Sequence, residues 1–265
     1  MKIGLIGSSG RVGKSLVNLK NVVPLECDVT KTKSIEDAIN RVRPDVIASL
    51  ASKSDVDWCE DDNNFDELFG VNVLGVNNLG LIAEKHFIPS VIISTDHIFN
   101  GRTFFDWKTM MWLHKGPYKE YYSRPLPVNQ YGISKLGAEF LAHTFNGMKI
   151  VRTSYLFDKE RVGVVNNNWS TPTFIHRSFM HVEHFVTAFH WYLQNIHNAP
   201  KVLHISGSKT VSWYEFLHTY DKTVVAKTRP EKGYTPRPFK AGLDVSLSKS
   251  WGVPQFDYLD GLKIL

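Results

Sequence analysis

The sequence predicts an α/β fold of the Rossmann type, a doubly wound parallel sheet with a smaller C-terminal substrate lobe. Short apolar runs alternate with segments of helical periodicity up to residue 157, and this rhythm is typical of a parallel sheet covered on both faces. The first run, 2–7, ends in glycines and leads into a helix, as in dinucleotide-binding turns. We predict a dinucleotide-binding domain over 1–157 and a mainly substrate-binding lobe over 158–265, with segments near 182–207 returning to the first domain.

The elements follow from the apolar pattern. The predicted strands are 2–7, 22–29, 45–51, 90–96, 149–157 and 201–207, and the predicted helices are 34–44, 72–86, 130–145, 182–196 and 211–220. Ser34 is expected to cap the helix predicted from residue 34, and Pro44 marks its end. Ser212 and Glu215 have the spacing of a capping box.

Composition excludes several classes of function. The chain has 265 residues and a formal net charge of +5, but it has no dense basic run, so we expect no nucleic acid. It also lacks the ~20 consecutive apolar residues that cross a bilayer, so we expect no membrane and a cytoplasmic location. Cys27 and Cys59 do not make a disulfide framework. His181 and His184 lie one helical turn apart without an acid or cysteine to complete a metal site, and no metal is expected.

The glycine turn is the first candidate site. Gly7, Gly10 and Gly13 lie between the first strand and a helix, where the missing side chains let backbone N–H groups approach a diphosphate. The acid that usually follows about 20 residues later arrives early here, as Asp28, so we place it beside the adenine. Arg11 and Lys14 near the turn favour NADP(H), while NAD(H) stays open.

A second candidate site follows the fourth predicted strand. Tyr131 and Lys135 are four residues apart on a predicted helix and therefore share a face. A cation beside a phenol favours its ionised form, and such a phenol can donate a proton to a carbonyl oxygen. Thr95 and Asp96 end the strand "SVIISTD", where a hydroxyl can hydrogen-bond the same carbonyl.

These motifs together resemble a known family. "GSSGRVG", "LECDVTK", "RPDVIASLASKSDVDWCE", "STDHIFNG", "PYKEYYSRPLPVNQYGISKLGAE" and "VRTSYLF" are similar to segments of the extended short-chain dehydrogenases/reductases, specifically the dTDP-4-dehydrorhamnose reductase group. The resemblance covers most of the chain. It implies NADP(H)-dependent reduction of a nucleotide-linked 4-keto-6-deoxy sugar.

The resemblance also implies roles for particular residues. The implied catalytic residues are Thr95, Tyr131 and Lys135, with Tyr131 as the acid and Lys135 tuning it and holding the cofactor ribose. The implied cofactor residues are Gly7, Gly10, Arg11, Val12, Gly13, Asp28, Val29, Ala51, Ser52 and Lys135. Asp96, Tyr155 and Arg237 are implied on the substrate side. The expected partner is the nucleotide-sugar substrate, and a homodimer stays open.

Two segments depart from the family pattern. Residues 158–169 are shorter than their counterpart, and Tyr155 replaces a tryptophan. Residues 101–118 carry an apolar group, Phe104, Phe105, Trp107, Met110, Met111 and Trp112, where the family has a polar loop. The shortened segment leaves an alternative open: a non-catalytic NADP-binding subunit that resembles the regulatory beta subunit of methionine adenosyltransferase.

Overall fold

The structure is a computed structural model that describes residues 1–106, 111–114, 117–165, 171–227 and 235–265. Its strands are β1 Ile3–Ile6, β2 Val22–Pro24, β3 Val46–Ser49, β4 Ser90–Thr95, β5 Thr103–Asp106, β6 Met111–His114, β7 Met148–Thr153, β8 Leu156–Phe157, β9 Thr171–Pro172, β10 His176–Arg177, β11 Met180–His181, β12 Val202–His204, β13 Val211–Ser212 and β14 Ala226–Lys227.

The α-helices are α1 Arg11–Leu16, α2 Thr32–Val42, α3 Val56–Cys59, α4 Phe65–Phe69, α5 Gly75–Lys85, α6 Gln130–Thr144, α7 Lys159–Val165, α8 Val182–Gln194, α9 Trp213–Tyr220, α10 Ser246–Ser250 and α11 Tyr258–Leu262. A π-helical turn, Gly70–Leu74, joins α4 to α5, and 3₁₀ turns span Asp62–Asn64, Asp96–Ile98 and Ile196–Asn198. No helix in the described ranges is long and apolar enough to cross a membrane.

A six-stranded parallel sheet organises the molecule, in the order β12-β7-β4-β3-β1-β2. The chain runs outward from β1 to β2 and then crosses back to β3, so the topological switch point lies between β1 and β3. Ligands of such sheets bind beyond the carboxyl ends of the strands at this point. The Rossmann-type fold class predicted from the sequence is confirmed.

Apolar side chains cover both faces of this sheet. On one face, Leu5 and Val151 pack with Phe185 and Phe189 of α8. On the other face, one cluster joins residues of β3, β4 and β7 to α2, α5 and α6: Ile35, Ile39, Ile47, Leu79, Ile92, Ala138, Ala142 and Ile150. These helices are therefore held on the sheet by burial of their apolar faces.

Several element boundaries differ from the sequence prediction. The predicted cap Ser34 is wrong, because α2 begins at Thr32 and the Ser34 hydroxyl instead accepts a hydrogen bond from the Asp28 backbone N–H at 2.9 Å. The strand predicted over 149–157 divides into β7 and β8, and β8 pairs with β11 outside the central sheet. Ser212 does cap α9, accepting from the Glu215 N–H at 3.0 Å.

The C-terminal part is built from smaller units. In the described residues, four two-stranded pairs lie outside the central sheet: β10-β13, β11-β8 and β14-β9 towards the C-terminus, and β5-β6 earlier in the chain. An aromatic cluster includes Phe157 of β8, Phe179 and Phe216 of α9. The side chains of the apolar loop predicted at 104–112 and residues 166–169 of the shortened segment lie outside the described residues. The 157/158 domain boundary stays a prediction.

Candidate active site

The glycine turn joins β1 to α1 with little room for side chains. Gly7 has a φ of +85°, in the left-handed region that favours glycine. A Cβ on Gly13 would collide with the Gly7 carbonyl oxygen, so glycine is required for α1 to start this close to the strand. At Gly10, a Cβ would meet only the same oxygen, at 3.4 Å. The outer side of the turn is therefore open to a ligand.

A cleft of about 470 Å³ lies against this turn, at the switch point of the sheet. Four residues predicted to bind the cofactor line it, namely Gly7, Asp28, Val29 and Ala51. Its other lining residues are Ile6, Ser8, Ser9, Leu25, Glu26 and Cys27. The structure thus brings the glycine turn and the segment after β2 together around one cleft.

Asp28 is held by its own loop. Its carboxylate accepts hydrogen bonds from the Thr30 hydroxyl at 2.6 Å and the Thr30 backbone N–H at 3.0 Å, and it pairs with Lys31 at 3.1 Å. These contacts, the Thr30 hydroxyl first, lower the pKa of Asp28 to about 2. The neighbouring Val29 is buried, and its carbonyl accepts a hydrogen bond from Asn78 at 3.0 Å.

Ser52 lies beside a buried asparagine that the sequence prediction missed. Asn72 is 1% exposed and lies in the π-helical turn. Its side-chain oxygen accepts from Ser52 Oγ at 3.2 Å and the Lys53 N–H at 2.7 Å, and its nitrogen donates to Ser134 Oγ at 3.0 Å. Asn72 therefore ties the loop after β3 to the helix that carries Tyr131. π-turns often occur at functional sites, but no local sequence signal predicts one here.

Thr95, Asp96 and Tyr131 meet at the carboxyl edge of the sheet. β4 ends at Thr95, whose hydroxyl accepts from the His97 N–H at 3.2 Å. The His97 ring packs edge-on against the Tyr131 ring, with centroids 5.4 Å apart. A Cβ on Gly132 would collide with the His97 carbonyl oxygen, so glycine at this position lets the start of α6 approach the turn after β4.

Asn129 fixes the start of α6. Its side-chain oxygen accepts from the Gly132 N–H at 2.8 Å, and its nitrogen donates to the Pro236 carbonyl at 2.9 Å. Asparagine is among the preferred N-caps, so the sequence "PVNQYG" contained a signal for this residue. Asn129 thereby places Tyr131 in the first turn of α6 and connects it to the C-terminal segment.

The proton-donor role of Tyr131 stays a prediction, and the structure shows the surroundings of its phenol. Burial raises its pKa above the ordinary value, and the nearby Thr95 hydroxyl opposes that rise. The sequence analysis predicted a lowered pKa because of Lys135; desolvation exceeds that effect, and the cation that lowers the phenol pKa is Arg161.

Lys135 is 4% exposed, one turn after Tyr131. Burial lowers its pKa to about 8, and the Glu139 carboxylate one turn further on opposes that shift. Glu139 is itself held by two hydrogen bonds from Arg152, at 2.8 and 2.7 Å. Tyr131, Lys135 and Glu139 therefore form a row along one face of α6.

Asp96 faces inward. Its carboxylate accepts from Ser154 Oγ at 2.6 Å and lies 3.3 Å from Nε of Arg177, with both charged side chains at most 4% exposed. Arg177 also donates to the Pro238 carbonyl at 2.9 Å. The sequence analysis missed Arg177, because the pair joins residues 81 positions apart. The predicted substrate contact of Asp96 stays a prediction.

The other predicted substrate residues already have protein partners. Arg237 makes two hydrogen bonds to the Asp57 carboxylate, at 3.0 and 2.9 Å. The Tyr155 ring packs edge-on against Trp213, with centroids 4.5 Å apart, and its hydroxyl accepts from Arg161 at 3.1 Å. Both side chains are engaged by other residues of the protein, and their roles toward a substrate stay predictions.

Arg11 connects the glycine turn to the C-terminal part. Its guanidinium donates to the Leu156 carbonyl at 3.2 Å and lies 3.7 Å from the Asp158 carboxylate. Val12 packs against the apolar cluster of the α8 face. Arg11 therefore points along the turn toward β8 and α7 rather than toward the segment after β2.

No metal site accompanies these residues. Within the described ranges, no three His, Cys, Asp or Glu side chains are grouped so that they could hold a metal ion. His181 instead accepts from the Glu183 N–H at the start of α8, and His184 stacks on Phe256 with ring centroids 4.2 Å apart.

Known proteins are similar to this chain in fold and, more weakly, in sequence. The crystal structure of dTDP-4-dehydrorhamnose reductase from Bacillus anthracis in complex with NADP has a TM-score of 0.80 at 23% identity, covering 100% of this chain and 98% of that one. Among curated proteins, spore coat polysaccharide biosynthesis protein SpsK of Bacillus subtilis is 25% identical over 270 residues, 89% of this chain and 87% of its own. dTDP-4-dehydrorhamnose reductase of Escherichia coli K12 is 23% identical over 286 residues, 97% of this chain and 85% of its own.

The family assignment rests on a match that spans most of the chain. Residues 1–242 match the family described as RmlD substrate binding domain. This range includes the glycine turn, the end of β4, the Tyr131–Lys135 helix and Arg237. The chain belongs to the RmlD substrate binding domain family.

Proposed function

We propose that the protein is an NADP(H)-dependent reductase of a nucleotide-linked 4-keto-6-deoxy sugar, similar to dTDP-4-dehydrorhamnose reductase. Supporting it are relatives named as that enzyme and the family match over residues 1–242. The observation that carries the proposal is that Tyr131 lies beside the Thr95 hydroxyl at the carboxyl end of β4, with Lys135 buried one turn further along α6.

The residues around the cleft fit a dinucleotide. The open side of the turn at Gly10 and the cleft between Gly7, Asp28 and Ala51 suit a diphosphate followed by a nucleoside. Arg11 and Ser52 flank this region, and Lys135 would hold the nicotinamide ribose. NADP(H) is the favoured cofactor, and NAD(H) is the alternative. When bound, such a cofactor supplies the hydride.

The chain's own residues supply the proton. Burial keeps the Tyr131 phenol protonated at neutral pH, so the phenol can donate its proton to a carbonyl oxygen that becomes an alkoxide. Thr95 would hydrogen-bond the same oxygen from the neighbouring strand end. The nearby positive charge of Arg161, which lowers the pKa of the phenol, would stabilise the phenolate left behind.

The test uses a tyrosine variant and a matched control. NADPH is mixed with dTDP- or UDP-linked 4-keto-6-deoxy sugars, and oxidation of the nicotinamide is followed by absorbance. Tyr131→Phe should lower turnover by about 10²–10⁴-fold with nearly unchanged NADPH affinity. Tyr122→Phe removes a hydroxyl from a side chain that is 89% exposed and should retain full activity.

Two results would contradict the proposal. Turnover retained in Tyr131→Phe would exclude the phenol as the proton donor. No turnover with any of these sugars, together with tight NADPH binding, would favour the alternative of a non-catalytic regulatory subunit.

A further inference from the structure

Arg161 lies in the shortened segment of the chain, on the short helix α7. Its guanidinium lies over the Tyr155 ring, 5.2 Å from the ring centroid. One of its nitrogens donates to the Tyr155 hydroxyl at 3.1 Å. An arginine has five N–H donors, so this contact orients the group while leaving most of its donors for another partner.

The charge of Arg161 is not neutralised by an ion pair. Across the described ranges, no carboxylate lies within salt-bridge distance of its guanidinium, whereas Arg11 lies 3.7 Å from Asp158 and Arg237 lies 2.9 Å from Asp57. The Arg161 side chain is exposed, so its remaining donors are accessible to a ligand. In the described residues, the Arg161 guanidinium is thus positioned by an aromatic ring, whereas those of Arg11 and Arg237 are positioned by carboxylates.

Contacts place Arg161 near both parts of the candidate site. Its backbone N–H donates to the Asp158 carboxylate at 3.0 Å, and that carboxylate lies 3.7 Å from Arg11 of the glycine turn. Its partner Tyr155 follows β7, whose last residue Thr153 is paired with Thr95. The electrostatics agree with this placement. Arg161 lowers the pKa of Arg11, which follows the glycine turn, and it also lowers the pKa of the Tyr131 phenol. Arg161 therefore lies beside the space between the glycine turn and the end of β4.

We propose that Arg161 is a ligand-binding residue that holds a phosphate of a nucleoside diphosphate group in this space. A guanidinium matches the geometry of phosphate oxygens and can bind two of them at once. The inference rests on the proposed function, because that function brings two diphosphates to the site, one in the cofactor and one in the sugar nucleotide. Tyr155 acts as the support that keeps the guanidinium in position.

The experiment measures binding without turnover. Isothermal titration calorimetry gives the Kd of the full chain for NADPH, dTDP and UDP separately. The proteins compared are the wild type, Arg161→Gln and Lys159→Gln. Lys159 is exposed on the same helix, so its variant removes one positive charge at nearly the same place. Arg161→Gln should raise the Kd for at least one probe about tenfold, as expected for a charge-assisted hydrogen bond. Lys159→Gln should change each Kd by less than about twofold.

The probes separate the two sources of the phosphate. If Arg161→Gln loses affinity only for NADPH, Arg161 binds the cofactor diphosphate. If it loses affinity only for dTDP or UDP, Arg161 binds the diphosphate of the sugar nucleotide. Tyr155→Phe, which keeps the ring and removes the hydrogen-bond acceptor, should give a smaller loss for the same probe. Unchanged affinity of Arg161→Gln for all three probes overturns the inference, as does an equal loss in Lys159→Gln.

Failure of the proposed function would be recognised separately. If no keto sugar is reduced but Arg161→Gln still weakens nucleotide binding, the reductase assignment fails and the role of Arg161 stands. If turnover occurs and Arg161→Gln binds all probes normally, the reductase assignment stands and the role of Arg161 fails.

Discussion

The cofactor side and the C-terminal side of this molecule are positioned by different kinds of contact. The glycine turn, Thr95 and the loop after β3 follow strands of one continuous parallel sheet, buried on both faces. Tyr155, Arg177 and Arg237 instead depend on two-residue strands, an aromatic cluster and ion pairs. Side chains on the sheet edge are placed by the fold as a whole, whereas those of the C-terminal part are placed by individual long-range pairs.

Substitutions on the two sides should therefore have different effects. A sheet edge can keep its geometry while the segments that cover it change, because its backbone hydrogen bonds do not depend on those segments. The shortened segment and Tyr155 both lie on the C-terminal side, where the Arg161–Tyr155 hydrogen bond joins two side chains outside the central sheet. We therefore expect variants of the C-terminal side to alter ligand affinity without disturbing the cleft against the glycine turn.

The largest expected effect on stability concerns the buried ion pair of Asp96 and Arg177. Arg177→Met leaves the Asp96 carboxylate buried without its cation, and this should lower the free energy of unfolding by about 3–5 kcal/mol. Urea denaturation monitored by tryptophan fluorescence measures the change. Combining Arg177→Met with Asp96→Asn should recover part of the loss. A single variant as stable as the wild type would show that the pair does not hold the two sides together.

The second test measures how NADPH affinity depends on pH as Lys135 loses its proton. Its pKa is lowered to about 8, so its positive charge is present below that pH and is lost as the pH rises through it. If the ammonium holds the cofactor ribose, NADPH affinity should fall about tenfold between pH 7 and pH 9, following the fraction of protonated lysine. Fluorescence titration of NADPH at each pH measures this.

The matched variants for this test are Lys135→Met and Lys14→Met. Lys135→Met should bind weakly at both pH values without the alkaline decline, whereas Lys14→Met, which changes an exposed residue of α1, should retain it. An unchanged alkaline decline in Lys135→Met would assign the titration to another group.

The smallest effect is expected at Arg237 and Asp57. The pair has good geometry, but the Asp57 side chain is 67% exposed, so water screens the interaction. A double-mutant cycle with Arg237→Gln and Asp57→Asn should give a coupling energy of about 0–1 kcal/mol in unfolding free energy. A coupling above about 2 kcal/mol would mean that this pair contributes as much to stability as the buried one.

The sequence alone was sufficient for the features that depend on local spacing. The glycine turn between a strand and a helix, the row of Tyr131 and Lys135 four residues apart, and the hydroxyl at the end of β4 are each set within a few residues. The alternating apolar runs also predicted the parallel sheet, because strands buried on both faces have a recognisable composition.

Only the tertiary structure determined which distant groups meet. The Asp96–Arg177 pair, the Asn72 contacts to two other segments and the Arg161–Tyr155 hydrogen bond all depend on how separate elements pack. The direction of the Tyr131 pKa shift also depends on packing, since burial raises the pKa of this phenol and no neighbour in the sequence reveals that burial. Helix and strand periodicity is a property of adjacent residues, but desolvation and ion pairing are properties of the assembled interior.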